Sequence, residues 1–320
     1  MSNSRLSYTD GSPLPGDGLV QISRASLIRL KRWGGDLPLR AIRVRSGSSG
    51  AYLTRLKGRG MEFDEARPYQ AGDEIRNIDW RITARTGQPY SKLFREEKER
   101  VVTLWVDYRA PMYFATQGRF KSVLASEAAA MIAWSAHKLG DRLGGLLFSE
   151  QGHLELRPRN DVRTTLRLIA LLAEYSQKTP PASLPEQRRE AAGSALLRIN
   201  RVTRPGSLVC LISDFRDLDT RTENHLTSLA RHNDLILVRL FDPLEAELPR
   251  AGWYTVSDGR RFVAIDSADR ARRLAHREHY LAQRARLEQI CRRHGIHLFQ
   301  CATNDDLPGI LKNSLGRQVH

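Results

Sequence analysis

Residues 101–107 read VVTLWVD, a short run of apolar, β-branched and aromatic residues that closes on an aspartate. A run of this length with no polar alternation is the pattern of a strand buried on both faces. It returns as SLVCLISD at 207–214 and as DLILVRLFD at 234–242, the latter halted by Pro243. Helical stretches separate these runs. KSVLASEAAAMIAWSAHKL at 121–139 is rich in alanine, helices are expected at about 161–176 and 186–202 around the linker TPPASLP, and another at 220–231. DRLGGLLFSE and HLELRPR read as a hairpin across Gly152, and a strand pair is expected near 252–265. A basic helix, the strand IHLFQC and a last short helix complete the chain. Strands alternating with helices imply an α/β fold with a doubly wound, mostly parallel sheet covered on both faces.

Upstream of Val101 the rhythm changes. Residues 1–18 are rich in Ser, Gly, Pro and Asp and are expected to be disordered. SRASLIRLKRW at 23–33 suits a short basic amphipathic helix, packed on its own domain or touching a membrane surface without spanning it. LPLRAIRVRSG alternates as a strand that ends at the GSSG turn. Turn signals at Gly58, Gly60, Pro68, Gly72 and Gly87 then punctuate short strand-like segments over residues 51–100. The expected division is therefore a tail at 1–18, a helix plus small β-rich module at 19–98, and the α/β domain at 99–316.

The chain has 320 residues, with 51 Lys and Arg against 36 Asp and Glu, a net charge of +15. Hydrophobic and charged contents of 41% and 27% are ordinary for a globular protein and exclude global disorder. No apolar run approaches the roughly 20 residues that span a bilayer, and the N-terminus lacks the apolar core of a signal peptide. Cys210, Cys291 and Cys301 form no CxxC pair, so neither a disulfide framework nor a zinc site is indicated. A reduced, basic, cytoplasmic protein is the expectation. The charge is densest at 270–293, where Ala271, Leu274, Leu281, Ala285, Leu287 and Ile290 form an apolar stripe among arginines. That pattern is expected to pack one face on the sheet and to leave the arginines in solvent. No zinc-finger spacing, RNA-binding aromatic signature or GxxG clamp accompanies it, which weighs against nucleic acid.

Function in doubly wound folds collects at the carboxyl ends of the strands. Asp107, Asp214 and Asp242 each follow an apolar strand. Such carboxylates can hold magnesium, act as nucleophiles or cap the next helix. Asp107 and Asp214 draw attention as a pair, because their strands are candidates for neighbours. There is no GxSxG elbow, no GxxxxGK[ST] loop and no GxGxxG opening a helix. No catalytic centre emerges.

Residues 57–97, KGRGMEFDEARPYQAGDEIRNIDWRITARTGQPYSKLFREE, resemble the signature of the bacterial family known as domain of unknown function 58. The matching residues are Gly58, Gly60, Glu62, Phe63, Arg67, Tyr69, Gly72, Asp73, Arg76, Ile78, Asp79, Trp80, Ala84, Arg85 and Glu97. The alternation of Arg with Asp and Glu around Tyr69 and Trp80 would suit an ion-pair network, either as an internal staple or as a partner surface. The resemblance implies a von Willebrand factor A-like, Rossmann-like domain with an adhesion-type metal site of the form Asp-x-Ser-x-Ser, a Thr and a later Asp. Here Asp107 and Asp214 match, Arg109 and Pro111 stand where the serines belong, and Ser194 takes the place of the Thr. With two ligands replaced, no metal is expected, and Arg109 is expected to bridge Asp107 and Asp214 in the cation's place.

The resemblance further implies a non-enzymatic adaptor that works with a MoxR-type AAA+ ATPase on a client protein, with no small-molecule substrate. It is the short soluble branch of that family which the chain resembles. Two rival readings are a basic nucleic-acid-associated protein and a metal-dependent hydrolase at Asp107 and Asp214.

Overall fold

The apolar run at 101–107 is a strand in the middle of a six-stranded sheet. The computed structural model describes residues 16–39, 61–70, 73–96, 99–180, 183–216, 219–249, 251–257 and 262–316. The chain divides into two units, Met1–Arg45 with Arg100–His320, and Ser46–Glu99.

The larger unit begins with α1 (Arg24–Arg29) and α2 (Lys31–Gly34). The smaller unit then supplies β1 (Met61–Pro68), α3 (Trp80–Thr86) and β2 (Tyr90–Glu96). The larger unit resumes with β3 (Val101–Asp107), α4 (Lys121–Lys138), β4 (Arg142–Ser149), β5 (Gly152–Arg159), α5 (Val162–Ser176), α6 (Pro185–Val202) and β6 (Leu208–Ser213). The rest is α7 (Thr220–His232), β7 (Asp234–Phe241), α8 (Pro243–Ala246), a hairpin of β8 (Trp253–Ser257) and β9 (Phe262–Asp266), α9 (Arg270–His294), β10 (His297–Ala302) and α10 (Leu307–Gly316). The large sheet has the order β10-β7-β6-β3-β4-β5. Five of its strands run parallel and only the edge strand β5 is antiparallel. β4 and β5 form the hairpin expected there, with Ser149 paired to Gly152.

Strand alternation sorts the core into two layers. Val102, Leu104 and Val106 of β3 face one side with α4 and α5, whereas Trp105 faces the other with Leu196, Leu226, Leu287 and Ile290. Every residue of α4 from Lys121 to Ala136 is buried, since the sheet lies beneath it and α1 and α2 lie above it. Its run of alanines has that cause, because small side chains let flanking elements approach from all sides. Gly34 makes the closest approach, and a Cβ there would stand 2.6 Å from the Met131 carbonyl oxygen. Trp134 Nε1 donates to the Leu27 carbonyl across the same contact.

Three expectations need correction. The helix at 23–33 belongs to the α/β unit and not to the β-rich module, because Leu27 and Leu30 are core residues beside Trp134 and Leu172. The strand expected at 37–47 falls mostly outside the described residues, and Leu37 and Leu39 enter the core without forming one. The apolar stripe of the basic helix does not act as one face. Tyr280, Leu287, Ile290 and Cys291 are buried, while Ala271, Leu274, Leu281 and Ala285 stay exposed.

In the smaller unit β1 pairs with β2 antiparallel, and the connection between them carries α3. Asp79 caps α3 by accepting from the Arg81 and Ile82 amides at 3.0 and 3.2 Å, and Gly87 closes it in the left-handed conformation. Gly58, Gly60, Gly72, Glu97 and the GSSG turn lie outside the described residues, as do residues 1–15 of the tail expected at 1–18, whereas residues 16–18 form a turn in which Asp17 accepts from the Ser23 amide and hydroxyl.

Candidate functional site

The chain enters the large sheet at β3, runs outward through β4 and β5, then returns to the other side of β3 with β6 and β7. The strand order therefore reverses between β3 and β6, and both strands lead there into an aspartate, Asp107 and Asp214. A crevice at the carboxyl ends of the strands opens at such a switch point.

Here the crevice is filled with paired charges. Arg109, two residues beyond Asp107, turns its guanidinium back onto that carboxylate. Nε lies 3.0 and 3.1 Å from the two oxygens and Nη2 2.6 Å from Oδ2. The Arg109 amide donates to Oδ1 at 2.9 Å and the Ser213 hydroxyl to Oδ2 at 2.6 Å, so Asp107 is saturated with donors. Arg109 Nη2 also lies 3.7 Å from Asp214 Oδ1, and Nη1 donates to the Arg188 carbonyl at the start of α6. The guanidinium thus hydrogen-bonds Asp107 and stands within ion-pair distance of Asp214.

A second cation completes the site. Lys121, the first residue of α4, is wholly buried and reaches Asp214 Oδ2 at 3.2 Å and Glu245 Oε1 at 2.6 Å. Arg216 at the rim contacts the same Glu245 oxygen, and its amide donates to Asp214 Oδ1 at 3.1 Å. Arg109, Lys121 and Arg216 therefore balance Asp107, Asp214 and Glu245. Burial alone would raise the Asp214 carboxyl, but Lys121, then Arg109 and Arg216, hold it well below the ordinary carboxylate range. Beyond Asp214 the backbone takes positive φ at Phe215 (51°), whose amide donates to Ser213 Oγ.

The residues present do not fit the metal that the family resemblance implies. Pro111 sits in a single 3-10 turn (Ala110–Met112) and has no side-chain oxygen, while Arg109 already spans Asp107 and Asp214 and Lys121 takes the other oxygen of Asp214. Ser194 is not part of the site. Ala192, Ala195, Leu196 and Ile199 turn α6 toward the sheet, and Ser194 falls on its exposed side. Just before α6, Ser183 donates to Glu150 Oε1 at 2.7 Å, and Ala110 N of the first loop donates to the same oxygen. Asp242 has a different task. It caps α8 and accepts from Thr116 and Thr303, which ties three loops together. Among the described residues no cluster of three or more His, Cys, Asp or Glu side chains is arranged to hold a metal. Sequence reasoning missed Lys121, Ser213, Arg216, Glu245 and Glu150. Lys121 in particular looks like any solvated lysine at a helix start.

The signature residues form less of a network than their alternation suggested. Arg67 pairs with Asp73 at 2.8 Å, Tyr69 donates to the Asp73 carbonyl, and Lys92 stands 3.7 Å from Asp79. Arg76 and Arg85 are exposed without an ion pair among the described residues, and the Trp80 ring is 67% exposed. That unit joins an internal staple to an open aromatic and basic surface.

The family model described as "Protein of unknown function DUF58" matches residues 65–286. Uncharacterized proteins of Mycobacterium bovis and Mycobacterium tuberculosis are 28% identical over 264 residues, covering 80% of this chain and 79% of theirs. Among solved structures, a conserved hypothetical protein BatB from Bacteroides thetaiotaomicron matches 68% of this chain and 98% of its own, with 11% identity and a TM-score of 0.43. An aerotolerance-related membrane protein from Bacteroides fragilis gives 11% identity over 69% of this chain and 98% of its own, with a TM-score of 0.38.

Proposed function

The chain belongs to the family of proteins of unknown function DUF58, and from that premise we propose that it is a non-enzymatic, protein-binding adaptor with a von Willebrand factor A-like domain. Its partner is a MoxR-type AAA+ ATPase, its working place is the cytoplasm, and it presents a client protein to the ATPase for maturation or assembly. One observation carries the reading. At the topological switch point, the Arg109 guanidinium spans Asp107 and Asp214, where an adhesion-type cation would bind, while the Lys121 ammonium ties the other oxygen of Asp214 to Glu245. A recognition site so built keeps its shape without metal. It offers a partner the rim groups Arg216 and Glu245, which are held in fixed geometry by the buried charges.

Two further features favour binding over catalysis. Asp107 accepts from four donors and Ser213 Oγ is engaged by Asp107 and the Phe215 amide, which leaves neither group poised as a nucleophile. The chain carries no phosphate-binding loop of its own, which suits a division of labour in which a partner hydrolyses ATP.

The test is affinity purification of the tagged protein from its native cells, with and without nuclease. Recovery of an AAA+ ATPase that survives nuclease and is lost from Arg216→Glu supports the adaptor. Recovery of nucleic acid with no ATPase would transfer the function to the basic helix.

A further inference from the structure

Helix α9 contains eight arginines and no lysine. Four of them have internal partners. Arg272 pairs with Asp269, Arg273 donates to the Ser267 and Ala268 carbonyls, Arg284 pairs with Glu288 and Arg286 with Glu223. Arg270 and Arg277 are exposed and have no such partner among the described residues. Positions 270, 274, 277 and 281 follow the alternating four- and three-residue spacing that keeps side chains on one stripe of a helix. On that stripe Leu274 and Leu281 are 48% and 46% exposed, although the same helix buries Tyr280, Leu287 and Ile290 on its other side. Two leucines one heptad apart, flanked by arginines without an ion pair among the described residues, therefore face outward.

We propose that the Arg270–Leu274–Arg277–Leu281 stripe of α9 is a docking face for an acidic amphipathic helix of a partner protein. The heptad spacing fits apolar side chains of a second helix packed along the first. The guanidinium forks fit carboxylates, which they bind through two parallel hydrogen bonds, whereas a need for bulk positive charge alone would be met equally by lysine. Glu278 is exposed between the two leucines in sequence, where a phosphate backbone or an anionic bilayer would meet like charge. A partner helix can answer it with a basic residue. A second copy of this chain is disfavoured, because it would bring an equally basic stripe and a net charge of +15 against this one. This face shares no residue with the strand-end site, so substitutions in the two can be read apart.

The experiment uses the purified full chain and a fluorescent, glutamate-rich peptide of about 20 residues whose leucines follow heptad spacing, long enough to form a helix. A scrambled peptide of equal composition, a DNA duplex and phosphatidylglycerol vesicles serve as the other probes. The ordered peptide is expected to bind at least about tenfold more tightly than the scrambled one, and Leu274→Asp and Arg277→Glu are each expected to weaken it by about tenfold or more. Both substitutions alter exposed side chains and leave the core intact. Failure of the ordered peptide to bind, equal binding of the scrambled peptide, or binding indifferent to both substitutions overturns the proposal. So does tighter binding of the duplex or the vesicles through the same residues.

Discussion

Lys121 Nζ lies 3.2 Å from Asp214 Oδ2, with the lysine side chain wholly removed from solvent. The same ammonium reaches Glu245 at 2.6 Å, so one buried cation joins the turn after β6 to the start of α8. Lys121→Met, close in volume, leaves Asp214 and Glu245 short of a counter-charge. It is expected to cost about 3–5 kcal/mol, as for other broken buried pairs, and urea denaturation measures it. A loss below about 1 kcal/mol would mean that water already screens the pair.

Acid should reveal the same contact. The folded-state Asp214 carboxyl is held below its unfolded value, so its contribution is complete above the ordinary carboxylate range and is lost as pH falls through the folded value. Burial alone would raise Asp242 as well, yet the hydrogen bonds it accepts from Thr116, Leu244 and Thr303 leave it lowered. Stability of the wild type should decline from about pH 5 downward. The decline should be shallower in Lys121→Met, as thermal melts across that range would show.

Arg109 provides the metal test. Millimolar magnesium is expected to leave the melting temperature of the wild type unchanged. Arg109→Ser combined with Lys121→Ser removes the cations paired with Asp107 and Asp214, and magnesium should then raise the melting temperature by about 2–4 °C through binding to the folded state. A rise in the wild type would show that the guanidinium yields to a cation.

Glu127 of α4 behaves in the opposite sense to Asp214. Burial pushes its carboxyl up to about 7, against the pull of Arg119 at 2.9 Å. A raised acid favours the folded state while protonated, so stability should fall as pH rises from about 4.5, the unfolded value, through 7. Glu127→Gln should flatten that limb and be relatively more stable than the wild type at pH 8. An identical pH profile in the variant would assign the slope to another group.

The three cysteines should be inert in the native state. Burial raises each of their thiols to about 12, so the thiolate that reacts is scarce at neutral pH. Titration with a thiol reagent should find none of the three at first and all of them in denaturant. Rapid native labelling of Cys291, which lies on α9, would show that the helix detaches locally.

Much of the α/β unit was legible because its strands are buried on both faces. VVTLWVD and SLVCLISD admit no other element, and their shared aspartate ending already marked the site. The partner of Asp214 was not legible. Lys121 is 93 residues away, and a lysine at a helix start normally points to water. Ser194 misled because a hydroxyl in an expected place says nothing about which side of α6 it occupies. The stripe on α9 misled for a related reason. Its spacing is helical throughout, yet the buried residues of the helix begin only at Tyr280, and sequence periodicity carries no information about where a neighbour stops.

The burial of α4 on both sides governs the order in which the chain acquires structure during synthesis. Leu27 emerges from the ribosome 107 residues ahead of Trp134, the residue that binds its carbonyl. Until α4 follows, the first two helices have no surface on which to bury Leu27 and Leu30, and helices this short do not persist alone. The first two helices therefore wait for α4, and the nascent protein passes through a long interval with an uncovered apolar segment, open to chaperones and to aggregation alike.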